Sequence, residues 1–306
     1  MSREHIHFID FEFLGHPGVI GTGVVETTRG VWLVDPGPTT GLLGLRKGLA
    51  ALGLRAGDVR GILLTHIHLD HAGASGTLVR ERPELPVYVH EAGAPHMIDP
   101  SRLLQSAGRL YGSDLTRLWG EVAPVPAGNV KVLKGGEQLD LDGRIVRVAY
   151  TPGHAAHHVS YFDTQSGSAF VGDTGGVRLA PSPYTVPPTP PPDIELRTWS
   201  DSLSSIRGWN PKCLYLTHFG RVDDPAPHLA RVEQQLNVFG ELVRSLLDEP
   251  GTDAERQQRF VDRVVAALRQ EMADEEARRY QLAVSLEHCW LGLSRYWRKK
   301  ASVSRA

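Results

Sequence analysis

Thr65-His66-Ile67-His68-Leu69-Asp70-His71 follows directly on the apolar run Gly61-Ile62-Leu63-Leu64. Three imidazoles and one carboxylate fall within six positions, and such nitrogen and oxygen donors suit first-row divalent metals. From an extended loop the alternate residues His66 and His68 can face one ion. The chain then turns to present Asp70 and His71 to a neighbouring ion, so the density suits two ions rather than one. The short apolar run reads as a buried strand, and Ala72 to Arg82 reads as a helix. Strand, donor-bearing loop and helix is the order in which open α/β sheets place ligands, at the carboxyl ends of strands.

The same donor types recur, each at the end of an apolar segment. His154 closes Tyr150-Thr151-Pro152-Gly153-His154, behind the strand-like Arg144-Ile145-Val146-Arg147-Val148. Asp173 lies in Ala169-Phe170-Val171-Gly172-Asp173-Thr174, and His218 ends Cys213-Leu214-Tyr215-Leu216-Thr217-His218. With H-x-H-x-D-H followed by His, Asp and His, residues 5 to 222 resemble the metallo-β-lactamase superfamily, in its binuclear, glyoxalase II-like branch. The resemblance implies an α/β fold, the four-layer αββα sandwich. It implies that His66, His68 and His154 bind one metal, that Asp70, His71 and His218 bind a second, and that Asp173 bridges them. Two divalent ions are the implied cofactor, with Zn²⁺ leading and Fe or Mn admitted by the same donors. A hydroxide held between the ions would attack the substrate, and Asp70 would orient it and carry its proton to the leaving group. Asp70 and Asp173 are therefore the candidate catalytic residues.

The implied reaction is hydrolysis of an ester, thioester or related acyl bond in a small molecule. Lactones and phosphodiesters are the alternatives on the same site, and a mononuclear iron persulfide dioxygenase-like oxidoreductase is the alternative of another class. Two departures from relatives narrow the substrate. Thr174-Gly175-Gly176-Val177-Arg178 replaces the Cys-Gly-Arg type of segment expected after the bridging Asp in glutathione thioesterases, and Gly176 stands where lactonases carry Tyr.

Around this centre the sequence gives a coarse map. Ile6 to Phe13, Val19 to Glu26 and Gly30 to Asp35 read as antiparallel strands separated by glycine turns, with Asp35-Pro36-Gly37-Pro38 as a closing turn. Leu42 to Leu52 reads as a helix and Pro86 to His90 as a strand. Glu91 to Leu118 is mostly helical, a cap beside the site by resemblance. Strands dominate again from Val130 to Val171. Pro181 to Pro192 holds seven prolines in twelve residues, which excludes helix and central strand and predicts an extended surface course that can reach the mouth of the site. Leu229 to Leu247 and Ala254 to Trp297 carry apolar residues at helical spacing. The expected division is a catalytic domain over 1–222 and an all-helical extension over 223–306. The apolar stripes of the extension need a surface to cover, on the core or on a second copy in a homodimer.

Other residues read in two ways. His157 and His158 could steady a metal ligand or serve local structure, and Arg178 and Tyr184 could touch substrate or solvent. His90, His96, His228 and His288 read as packing or surface residues. Thr65, Thr217 and Cys213 read as strand residues, and Arg295 to Lys300 as a solvated helix end. The formal charge of −2 on 306 residues gives no electrostatic reason for a nucleic-acid or anionic-membrane partner. Two distant cysteines make no disulfide framework. The start lacks a secretory apolar region, and no run approaches the ~18 apolar residues of a membrane span. The expected location is the cytoplasm.

Overall fold

The computed structural model describes residues 5–179 and 181–303. Among them, strands β1 (Ile6–Asp10), β2 (Gly21–Thr27), β3 (Gly30–Val34), β4 (Val59–Leu63), β5 (Val87–His90) and β6 (Val130–Leu133) form one sheet in that order. A second sheet runs in reverse spatial order from β12 (Gly220–Val222) through β11 (Cys213–Leu216), β10 (Ser168–Phe170), β9 (Val159–Asp163) and β8 (Arg144–Tyr150) to β7 (Gln138–Leu141). Pairing is antiparallel through β1–β3 and parallel from β3 to β6. In the second sheet β10 and β11 are the parallel pair.

Helices complete the layers. They are α1 (Leu42–Ala51), α2 (Leu69–Ala72), α3 (Ser75–Glu81), α4 (Ala94–Ile98), α5 (Ser101–Tyr111), α6 (Leu115–Trp119) and α7 (Leu196–Gly208), then α8 (Pro225–Asp248), α9 (Asp253–Glu271), α10 (Asp274–Ala283) and α11 (Leu286–Val303). Alternation along the strands explains the four layers, because successive side chains leave a strand on opposite faces. Trp32, Val34 and Leu63 point inward and meet Val146, Tyr161 and Phe170 of the other sheet. Val31, Leu33 and Ile62 point outward to Leu45, Leu49 and Leu78 of the helical layer. On the far side Leu214 and Leu216 pack outward on Trp199 and Leu203 of α7, while Cys213 and Tyr215 face the inter-sheet core. These strands are apolar on both faces because both faces are covered.

The structure departs from the sequence-based map in four places. The first strand ends at Asp10, not Phe13, because the Asp10 carboxylate accepts from the amides of Glu12 (2.9 Å) and Gly18 (2.7 Å) and turns the chain. The helix expected at Ala72 begins inside the donor motif at Leu69 and breaks before Ser75. The tail segment read as one stretch from Ala254 is three helices, broken at Met272-Ala273 and Val284-Ser285. Asp274, Glu275 and Glu276 crowd the first turn of α10, where the helix dipole favours negative charge.

The fourth difference is the largest. The middle of the proline segment does not run over the surface: Pro181, Pro183 and Pro192 are exposed, but Thr185, Val186 and Thr189 are at most 1% exposed. It threads between the second sheet and the tail, with Val186 paired to Val177 as an isolated bridge. The reason lies in the tail, since Leu229, Leu236, Phe239, Phe260 and Trp290 join Ala169, Leu214 and Val186 in one apolar cluster. The stripes of α8, α9 and α11 thus cover their own chain's sheet, and the strap lies beneath them. No described helix is long and apolar enough to cross a membrane.

Candidate metal centre

Four loops at the carboxyl ends of strands converge. β4 leads into a loop from Leu64 to His68, His68 caps α2 in extended backbone with φ −60° and ψ 151°, and the single turn of α2 carries Asp70 and His71. The turn inferred from sequence is therefore helical. His154 follows Gly153, whose φ of 130° suits glycine; a Cβ there would stand 2.4 Å from Cβ of Trp199. Asp173 sits in a tight turn over Gly172–Gly175, and Gly172 has φ 44° with Thr65 Oγ1 only 2.5 Å from where a Cβ would be. Glycine at these two points lets the donors approach. His218 follows β11.

All seven predicted donors come together, in two groups. His66, His68, His154 and Asp173 form one, and Asp70, His71 and His218 form the other; within each group the donor atoms lie within 4.8 Å of one another. No described residue beyond His218 joins either group. His154 Nε2 is 2.9 Å from His68 Nδ1. Asp173 spans the two groups: its Oδ2 is 3.4 Å from His154 Nε2, and its Oδ1 is 3.1 Å from His71 Nε2 and 3.7 Å from His218 Nε2. Asp70 Oδ2 lies 3.3 Å from His218 Nε2.

Hydrogen bonds behind the rings fix which nitrogen faces inward. Nδ1 of His154 donates to the Pro188 carbonyl (2.8 Å) and that of His218 to the Val19 carbonyl (2.9 Å). His71 Nδ1 donates to Asp35 Oδ2 at 2.8 Å. Thr65 Oγ1 gives its proton to Asp35 (2.6 Å), so it accepts from His66 Nδ1 at 3.1 Å. Each of these four rings therefore turns Nε2 to the centre. There Nε2 of His66 and of His71, and Oδ1 of Asp173, are buried without a hydrogen-bond partner. Three orphaned buried acceptors or donors in one place would be costly unless something binds them. A set of imidazoles and carboxylates without thiolate fits divalent cations, so the residues present suit the metals that the sequence implies.

The protonation pattern differs between the two donor groups. Burial, together with the crowding of neighbouring imidazoles, pushes His66 well below the ordinary histidine range and His68 down to about 3. Burial alone would also lower His71 and raise Asp70. Instead, Asp173, Asp35 and Asp70 hold His71 well above its usual range, and His71 and His218 bring Asp70 down to about 2. The neutral rings of His66, His68 and His154 and the ionised carboxylates are forms that bind metal, whereas His71 and His218 carry protons that an ion bound there would displace.

Asp35 is the functional residue that sequence reading missed. It is fully buried with φ 55° and accepts from Thr65 N (2.7 Å), Thr65 Oγ1, Thr217 Oγ1 (3.0 Å) and His71 Nδ1. Thr65 and Thr217 are accordingly more than strand residues: they tie two donor loops to one carboxylate. The available signal was position, since Asp35 also ends an apolar strand. His158, also fully buried, lies under the Asp173 turn, with Nδ1 3.0 Å from Thr151 Oγ1 and Nε2 accepting from Thr174 N at 3.4 Å. Arg178 and Tyr184 do not line the cavity over the centre; Arg178 pairs with Asp224 at 2.6 Å. His90 stacks on Tyr150 and His228 donates to the Gly175 carbonyl, both packing roles. His96 and His288 do reach the cavity wall, which their sequence context gave no reason to expect.

A cavity of about 250 Å³ opens above Asp70, His68 and Asp173. Its wall comes from α5, from the strap at Pro188 and Pro190–Pro192, and from the α10–α11 junction at Ala283–Ser285.

The family model of the Metallo-beta-lactamase superfamily matches residues 17–218 of this chain, a span that holds all seven donors. The chain belongs to the metallo-beta-lactamase superfamily. It is 29% identical over 202 residues to a metallo-beta-lactamase fold-containing protein of Sulfurisphaera tokodaii, covering 61% of this chain and 75% of that one. It is 30% identical over 142 residues to a hydroxyacylglutathione hydrolase of Synechococcus, covering 46% of this chain and 42% of that one. The match thus spans less than half the length of that relative. A metallo-beta-lactamase family protein from Thermus thermophilus superposes with a TM-score of 0.70 at 23% identity, covering 97% of this chain and 94% of the other. This likeness shows the metallo-beta-lactamase fold, and its coverage takes in the helical tail.

Proposed function

We propose that this protein is a metal-dependent hydrolase of acyl bonds, esters or thioesters, working with two divalent ions, Zn²⁺ first among them. His66, His68 and His154 hold one ion and Asp70, His71 and His218 the other. Asp173 lies between, and the observation that carries the reading is that its two carboxylate oxygens face different donor groups. When bound at these residues, two such ions would supply acidity to a water and polarisation of the acyl carbonyl.

The chain's own residues do the rest. Asp35 fixes the His71 ring and ties the β4 and β11 loops together, so the donors are held in place before substrate arrives. Asp70 is 18% exposed, against at most 6% for Asp173, His71, His154 and His218, and stays ionised. Its carboxylate can therefore hold a proton acceptor toward the cavity, orienting water and passing the proton to the leaving group. Partial similarity to a hydroxyacylglutathione hydrolase supports a thioester. Glutathione is not part of the proposal, because of the segment after Asp173. We further propose the division at 222/223 and, from two buried free thiols, Cys213 and Cys289, a cytoplasmic location.

The test is to load the purified full chain separately with Zn²⁺, Fe²⁺ and Mn²⁺, count bound metal, and screen thioesters, esters, lactones and phosphodiesters. Two equivalents with acyl cleavage are expected. One equivalent of iron with oxygen uptake on a persulfide would overturn the reading in favour of the oxidoreductase.

A further inference from the structure

The cavity above the donors has a floor and walls of different chemistry. Its floor is Asp70, His68 and Asp173, and its walls bring Leu103 and Ala107 of α5, Pro191 and Val284 to one space together with the polar Arg102, Ser106 and Asp193. The apolar part is built by parts of the chain distant in sequence, and they are locked to one another. His288 reaches from α11 to the Leu110 carbonyl (3.3 Å), and its ring stands edge-on to Tyr111 at 5.2 Å. Tyr111 in turn packs edge-on to Trp119 at 5.3 Å. A cavity held this firmly is preformed, and a preformed cavity that combines apolar walls with converging polar groups is the usual form of a small-molecule site.

Polar groups also reach the lining, among them Arg102, Ser106, His157 and Asp193, and so does Tyr111. It shares the cavity with Asp70 and Asp173, and its hydroxyl makes no hydrogen bond among the described residues. A phenol keeps its proton at neutral pH and is a hydrogen-bond donor.

We propose that the cavity takes an acyl substrate with an unbranched apolar arm, laid between α5 and the α10–α11 junction, while the Tyr111 hydroxyl donates a hydrogen bond to the polar group at its reacting end. This rests on the acyl-hydrolase reading and names its substrate class. It gives the tail a function: Val284 and Ser285 close the arm's channel.

The experiment uses the metal-loaded full chain and straight-chain acyl p-nitrophenyl esters and thioesters, from acetyl to decanoyl. kcat/KM should rise about three- to fourfold per methylene, pass through an optimum and fall when the channel is full. Ala107→Phe should move the optimum to a shorter chain. Val284→Phe, on the opposite wall, should do the same and covers the case in which the first variant does not fold. Tyr111→Phe keeps the ring packing and should lower kcat/KM about tenfold at every chain length, leaving the optimum and the metal content unchanged. A flat or falling dependence on chain length overturns the apolar-arm proposal, and unchanged rates in Tyr111→Phe overturn the donor role. No cleavage of any member instead removes the acyl-hydrolase reading itself.

Discussion

The donor cluster on the cavity floor and the wall above it are built by different means. The floor comes from four loops of the sandwich, each leaving the carboxyl end of a strand, and nearly every ring in it is anchored by a second polar group. The wall comes from α5, the proline strap and the α10–α11 junction, and it is held by apolar burial. A direct tie between the two is the Pro188 carbonyl, which belongs to the strap and orients His154. This difference separates the roles: the polar floor specifies chemistry, and the apolar wall specifies what reaches it. The same sandwich could keep its chemistry and change its substrate through the wall alone.

Changes to the floor and to the wall should therefore fail differently. Asp173→Ala removes the one carboxylate that faces both donor groups; hydrolysis should fall to the level of metal-free protein while the melting temperature of the metal-free chain holds. Bound metal and activity, measured together, check it, and wild-type turnover would break the assignment. Phe260→Ala tests the wall. Phe260 is fully buried, edge-on to Phe239 at 5.5 Å, in the cluster that holds strap and tail to the second sheet. Its loss should cost about 3–5 kcal/mol of stability in one cooperative unfolding transition followed by calorimetry. Two separate transitions would mean that the tail is an independent unit. Asp35→Asn is the mildest. It preserves shape but weakens the charge-assisted bond to His71, and metal affinity should drop about 10- to 100-fold, read by chelator competition. An unchanged affinity would reduce Asp35 to a structural tie.

Much of the floor was legible in the sequence because each donor ends an apolar strand, and strands and ligand spacing are local properties. His66, His68, Asp70, His71, His154, Asp173 and His218 could be named without coordinates, and the structure brings all seven together. The four layers were implied by the family resemblance, and strands such as Val31–Val34, apolar on both faces, are indeed covered on both. Asp35 was not legible, because a carboxylate between a strand and Pro36-Gly37 looks like any turn. Its role exists only once β3, β4 and β11 lie side by side and Thr65, His71 and Thr217 point at one atom pair. The proline segment was misplaced for the same reason: local stiffness predicts its extended backbone, but burial depends on α8, α9 and α11 folding back over it. Sequence determined which residues could bind metal and which strands would be buried, both being local matters of donor type and periodicity. Tertiary structure alone decided the cavity's wall, the rings' orientation and the strap's burial, because each depends on contacts between segments tens to hundreds of residues apart.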